Sequence, residues 1–163
     1  MDVRFLTPFL KAAVEVLGSE LGAPVERGEI FAQKSACTTD EINVVLTLVG
    51  RLQGVVVYGM TEETALAIVT RILGQNFREM DDLAQSGVAE LGNVITGRAS
   101  TLLAEAGYHT ALSVPMLIVG QVTVSMLDLP RVVVPLLTRY GQVKVHLALR
   151  EVLSAEAGSG GPR

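Results

Sequence analysis

From Asp2 to Leu21 apolar residues return at three- and four-residue steps, through Phe5, Phe9, Ala12 and Val16, and the run stops at Gly22-Ala23-Pro24. That spacing predicts an amphipathic helix ended by glycine and proline. The period then changes. Val25 to Ala32 is a weak strand candidate, whereas Ile42 to Val49 and Gly54 to Met60 are dense in valine and separated by a short turn around Gly50 to Gln53, which predicts a hairpin. Thr61 offers a hydroxyl to cap free amides, Glu62 and Glu63 suit the positive end of a helix dipole, and the second helix closes at Gly74. After the linker QNFREM a third helix runs from about Asp81 to Ala106, with Asp81 and Asp82 as capping carboxylates and Gly107 as its stop. Leu112 to Val119, Gln121 to Leu127, Val132 to Leu137 and Gln142 to Arg150 read as strands, divided by Gly120, Pro130 and the turn Tyr140-Gly141.

Hairpin-length links between most of these strands predict a mainly antiparallel sheet packed against helices, an α+β fold. A chain of 163 residues suits one domain with one substantial core. We assign the domain to residues 1–152 and expect the glycine-rich tail, 153–163, to be disordered.

Composition adds an expectation of assembly. Hydrophobic residues make up 49% of the chain and charged ones 18%, with mean hydropathy +0.43, so a second subunit is expected to cover part of the surface. The net charge of −4, the lack of any Lys/Arg run and the absence of Trp argue against nucleic acid as a partner. Cys37 stands alone, so no internal disulfide or zinc site is expected, which fits a reducing cytoplasm. The first residues lack the pattern of a cleaved leader, and no apolar run approaches the roughly 18 residues that span a bilayer, so no membrane insertion is expected.

The candidate chemistry lies on the third helix, in SGVAELGNVITG, residues 86–97. Counting about 100° per residue from Glu90, the residues Ala84, Val88, Leu91, Ile95, Ala99, Leu102 and Ala106 gather in a stripe roughly 140° away, which is expected to pack on the sheet. Ser86, Glu90, Asn93, Gly97 and Thr101 fall on the outward side. A glycine within a helix costs about 1 kcal/mol relative to alanine, so Gly97 on that face suggests the close approach of another body. Taken alone, acid-x-x-Asn spacing also occurs on plain solvated helix surface, and Gly92 and Gly97 equally suit tight internal packing. Elsewhere, His109 and His146 have no sequence-near nucleophile with an acidic partner and read as surface or packing residues. Asp40 to Asn43, the stretch DEIN, reads as a loop. Met60, Met80, Met116 and Met126 read as core fillers.

The chain resembles the CheC/CheX/FliY phosphatases of chemotaxis response regulators, and CheX-like members most. The resemblance covers nearly the whole chain to about Arg150, through MDVRFLTPF, VVVYGMTEETALAIVTRILG, SGVAELGNVITGRA and LSVPMLIVG. Ser86, Glu90 and Asn93 fit the family signature of a Ser or Asp, three residues, Glu, two residues and Asn, and Pro115 matches its distant proline. The resemblance implies a CheC-like fold and hydrolysis of the aspartyl phosphate of a CheY-like receiver domain, the alternative being a receiver-binding module or adaptor without turnover. It gives Asn93 the orienting of water and Glu90 a pairing with a receiver lysine, with Ser86 and Gly97 on the same partner-facing surface. It also implies a homodimer, Mg2+ held by the receiver, and no cofactor or metal on this chain. The first helix has no Asn between residues 2 and 21, so it lacks the second copy of the signature that CheC-like members carry, and one site per chain is expected.

Overall fold

The two valine-rich runs form the centre of the sheet, because their alternate residues supply a continuous apolar face to the helices. The computed structural model describes residues 1–33, 37–124 and 130–153. In it the first helix, α1, spans Val3–Leu21, and Asp2 caps it by accepting from the Arg4 amide. Its end is the left-handed Gly22, as the sequence predicts. The weak strand candidate becomes two short strands, β1 (Glu26–Arg27) and β2 (Phe31–Gln33). Cys37–Thr38 forms β3. The hairpin pairs β4 (Ile42–Gly50) with β5 (Leu52–Met60), and α2 (Glu62–Leu73) follows, capped by Thr61 and closed by Gly74. Then come α3 (Asp82–Glu105), β6 (Thr110–Leu112), β7 (Met116–Val119), β8 (Thr123–Val124), β9 (Arg131–Thr138) and β10 (Gly141–Glu151).

The main sheet is antiparallel in the order β1-β9-β10-β5-β4-β6, with β2 also on β9 and β7 also on β4, while β3 and β8 pair separately. Ile42, Val44, Leu46 and Leu48 of β4 and Val56, Tyr58 and Met60 of β5 share one core with Val134, Leu136, Val145 and Leu147 and with the buried faces of the helices. Burying a side chain of this class contributes on the order of 1.5–3 kcal/mol. No described helix is long and apolar enough to cross a membrane.

Several boundaries differ from the sequence expectation, each for a tertiary reason. Both hairpin strands extend into the expected turn, because the end of β4 pairs with β6 and the start of β5 pairs with β10. The expected strand Leu112 to Val119 is broken at residues 113–115. Leu112 pairs with Leu48 and Met116 with Val45, so three residues oppose two and a bulge results. Of Gln121 to Leu127 only Thr123–Val124 is described as strand; residues 125–127, Met126 and the tail from residue 154 lie outside the described residues. Asn43 is no loop residue: it is buried in β4, opposite Gly59, and its Nδ2 donates to the Asp40 carbonyl at 2.7 Å. Met60 is buried, but Met116 is 55% exposed and fills no core gap.

Candidate active site

Helix α3 begins where the Asp81 carboxylate accepts from the Ala84 amide at 2.8 Å. Its buried side comprises Ala84, Val88, Leu91, Gly92, Ile95, Thr96, Ala99 and Leu103. The expected stripe is therefore rotated toward Gly92, Thr96 and Leu103, while Leu102 is half-buried and Ala106 is exposed at the helix end. Part of that stripe meets α1 and α2 instead of the sheet, since α3 packs along both helices as well as β4.

The two glycines have opposite surroundings. A Cβ on Gly92 would lie 2.7 Å from Val44 Cγ1 and 3.2 Å from Tyr58 Cδ2, so the missing side chain lets the helix sit against β4 and β5. A Cβ on Gly97 would meet nothing within 4 Å. Between them the helix is fastened to the sheet. Thr96 Oγ1 donates to the Gly92 carbonyl at 2.8 Å, which leaves the Tyr58 hydroxyl to donate to Thr96 Oγ1 across 2.8 Å. Burial pushes the Tyr58 phenol above its ordinary range, with the Thr96 hydrogen bond opposing it in part. The fastened turn, Gly92 to Thr96, carries Asn93.

Ser86 and Glu90 are exposed, and Asn93 and Gly97 are half-exposed, all on the outward side of α3. By helical geometry Asn93 stands about 60° from Glu90 toward the Thr96 side, which meets the sheet, while Val94 stands about 40° to the other side. The ion pairs among the described residues are Arg4–Asp2, Arg51–Glu151, Arg98–Glu15 and Lys144–Asp40, and they leave Glu90 without one. The helix thus presents a carboxylate and a carboxamide on adjacent turns from a backbone locked to the core.

Pro115 comes from a different element. It lies in the break between β6 and β7, where Ser113 holds the bulge: its Oγ accepts from the Thr47 amide at 2.8 Å and its amide donates to the Thr47 carbonyl at 2.9 Å. Both flanking strands contact α3, and Ser100 reaches Thr110 at 3.2 Å. The bulge was hidden from sequence because a lone proline marks an interruption without revealing whether the strand resumes on the same neighbour.

Beside Glu90 lies a hollow of about 110 Å³ lined by Glu20, Ile72, Leu73, Gly87, Leu91 and Val94, which the apolar periodicity of the helices does not reveal. The available signal was Val94, an aliphatic residue on a polar helix face. His146 lies elsewhere, on β10 between the core-facing Val145 and Leu147, so it points to the opposite side of the sheet from α3. Burial, with help from Arg131, lowers its pKa to about 4 against a raising influence from Asp40. His109 is exposed. No three His, Cys, Asp or Glu side chains among the described residues converge to hold a metal ion.

The model of a family described as chemotaxis phosphatase CheX matches residues 42–137, a span that includes all of α3. The CheY-P phosphatase CheX of Thermotoga maritima is 25% identical over 122 residues, covering 74% of this chain and 79% of that protein. The chemotaxis protein CheX of Desulfovibrio desulfuricans superposes with a TM-score of 0.81 at 24% identity, over 90% of this chain and 99% of the other. A chain of the CheX-CheY-BeF3-Mg2+ complex of Borrelia burgdorferi superposes with a TM-score of 0.74 at 25% identity, over 90% and 98%.

Proposed function

Since this chain belongs to the chemotaxis phosphatase CheX family, we propose that it hydrolyses the aspartyl phosphate of a CheY-like receiver domain, using Asn93 and Glu90. The observation that supports this most is the pairing of an outward carboxamide and an outward carboxylate on one helix whose intervening turn is hydrogen-bonded to the core. In the reaction, water attacks phosphorus, the bond from phosphorus to the acyl oxygen breaks, and aspartate and inorganic phosphate are released. Little covalent chemistry falls to the phosphatase; placing water in line and stabilising spread charge are what remain. The Asn93 carbonyl accepts from that water and its amide group donates to a phosphoryl oxygen. A carboxamide is no base, so Asn93 positions the nucleophile and takes no proton. Glu90 pairs with a lysine of the receiver, fixing register and orientation. Ser86 and Gly97 border the same contact, Gly97 by leaving room. Pro115 shapes the neighbouring strand edge. Mg2+ belongs to the receiver, and this chain carries no cofactor of its own in the reaction.

We also take the protein to work in the cytoplasm as a homodimer. The chain's high apolar fraction supports assembly, as do Val114, Met116 and Val119, exposed at the β7 margin of the sheet.

The Asn93→Ala variant separates chemistry from docking. Turnover is expected to fall about 100-fold or more, the cost of a mispositioned nucleophile. Calorimetric affinity for the receiver activated with beryllium fluoride is expected to stay near that of the wild type. Equal loss of both would make this helix a docking surface only.

A further inference from the structure

Two aliphatic side chains on the helical layer, Leu73 and Val94, are 40% and 42% exposed, and both border the hollow that Ile72 and Leu91 help to floor. Water-facing aliphatics around a concavity present an apolar contact that this chain leaves uncovered. A second hollow shares Glu20 and Val94 with it and continues between α1 and α3, until the Arg98–Glu15 pair, at 3.1 Å, closes the far end. The rim is acidic. Glu20 and Glu90 both line the apolar hollow, and neither takes part in an ion pair among the described residues. The nearest cationic side chain on α2, Arg71, is engaged with the Leu21 carbonyl at 3.2 Å.

We propose that this hollow is a specificity pocket for the partner: it takes an apolar side chain of the receiver that lies beside a lysine or arginine, the cation resting between Glu20 and Glu90. This rests on the proposed phosphatase reading and deepens it. Glu90 is shared between two neighbours, with Asn93 and the phosphoryl chemistry on one side and the pocket on the other. An apolar side chain seated in the pocket contributes binding that is equal before and during the reaction, so it selects which receiver docks on α3 and leaves the placing of water to Asn93. A paired carboxylate rim favours a basic segment and disfavours an acidic one, which separates receivers that share the same active-site chemistry.

The test uses Leu73→Lys and Glu20→Lys. Both replacements sit in the last turn of their helices, where a cation favours the helix dipole, so the fold is retained. Leu73→Ala serves as a milder variant, and thermal unfolding of all three checks the fold. The half-saturating concentration of phosphorylated receiver is expected to rise roughly tenfold in each lysine variant and less in Leu73→Ala, with kcat unchanged; Glu20→Lys also flattens the salt dependence of association. Active wild type with unchanged half-saturation in folded variants overturns the pocket and leaves the phosphatase reading intact, as does a fall in kcat alone. Wild type that binds receivers without speeding phosphate loss, while the variants bind more weakly, overturns the phosphatase reading and keeps the pocket.

Discussion

Thr96 makes two hydrogen bonds, and the direction of each decides what a substitution does. Its proton goes to the Gly92 carbonyl, so its oxygen is free to receive the buried Tyr58 hydroxyl. Thr96→Val keeps the shape but leaves that hydroxyl buried without a partner, a loss of about 1–3 kcal/mol. Tyr58→Phe removes the hydroxyl and leaves Thr96 satisfied by Gly92, so it is expected to cost about 1 kcal/mol, or less. Chemical unfolding of the two variants checks the order; a larger loss for Tyr58→Phe contradicts the hydrogen-bond assignment. At this scale the outward residues were legible from sequence, since a count of 100° per residue already separates Glu90 and Asn93 from the core side. The fastening was not legible. Thr and Gly register as breaks in an apolar pattern, whereas Thr96 and Gly92 are fully or nearly fully buried and carry the contact with the sheet.

Helix α3 is set by a glycine that must be small and a glycine that need not be. Gly92→Ala drives a methyl into Val44, a β-branched side chain held stiffly in a central strand. Overpacking of this kind costs about 1–3 kcal/mol and is offset only in part by the gain of about 1 kcal/mol in helix propensity. Gly97→Ala meets open space, so the isolated protein is expected to gain up to about 1 kcal/mol. Thermal melts of the pair check the opposite signs, and a stabilising Gly92→Ala would contradict the close packing. The helices and the β4–β5 hairpin were legible because long periodic or valine-rich runs and their caps agree with each other. The short strands β1 and β2 were blurred into one because both are mostly exposed and are held as strands by β9, a segment far later in the chain.

For the whole molecule, the far side of the sheet carries a pH liability that the site does not use. His146 is buried with Nδ1 unpartnered, near Arg131 and Lys144, and its pKa falls from 6.5 to about 4. Between those two values the unfolded chain binds a proton that the folded chain refuses. Stability therefore falls as pH drops through 6.5 and the loss levels off below about 4, at no more than roughly 3 kcal/mol. His146→Gln removes the titration, so the loss of stability between pH 7 and pH 4 is expected to be smaller than in wild type. Equal losses by chemical unfolding at both pH values would contradict the buried neutral histidine.

The same molecular layout puts Glu90 and Asn93 on a helix that the core holds rigidly and the surface leaves open to a partner. The direct test of their use is the decay of radiolabelled phosphate from a CheY-like receiver, alone, with this protein, and with its Asn93→Ala variant. The account predicts faster decay with the wild type and decay at the receiver's own rate with the variant. Decay unchanged by a wild-type protein that binds the receiver, or equally fast with the variant, would contradict it.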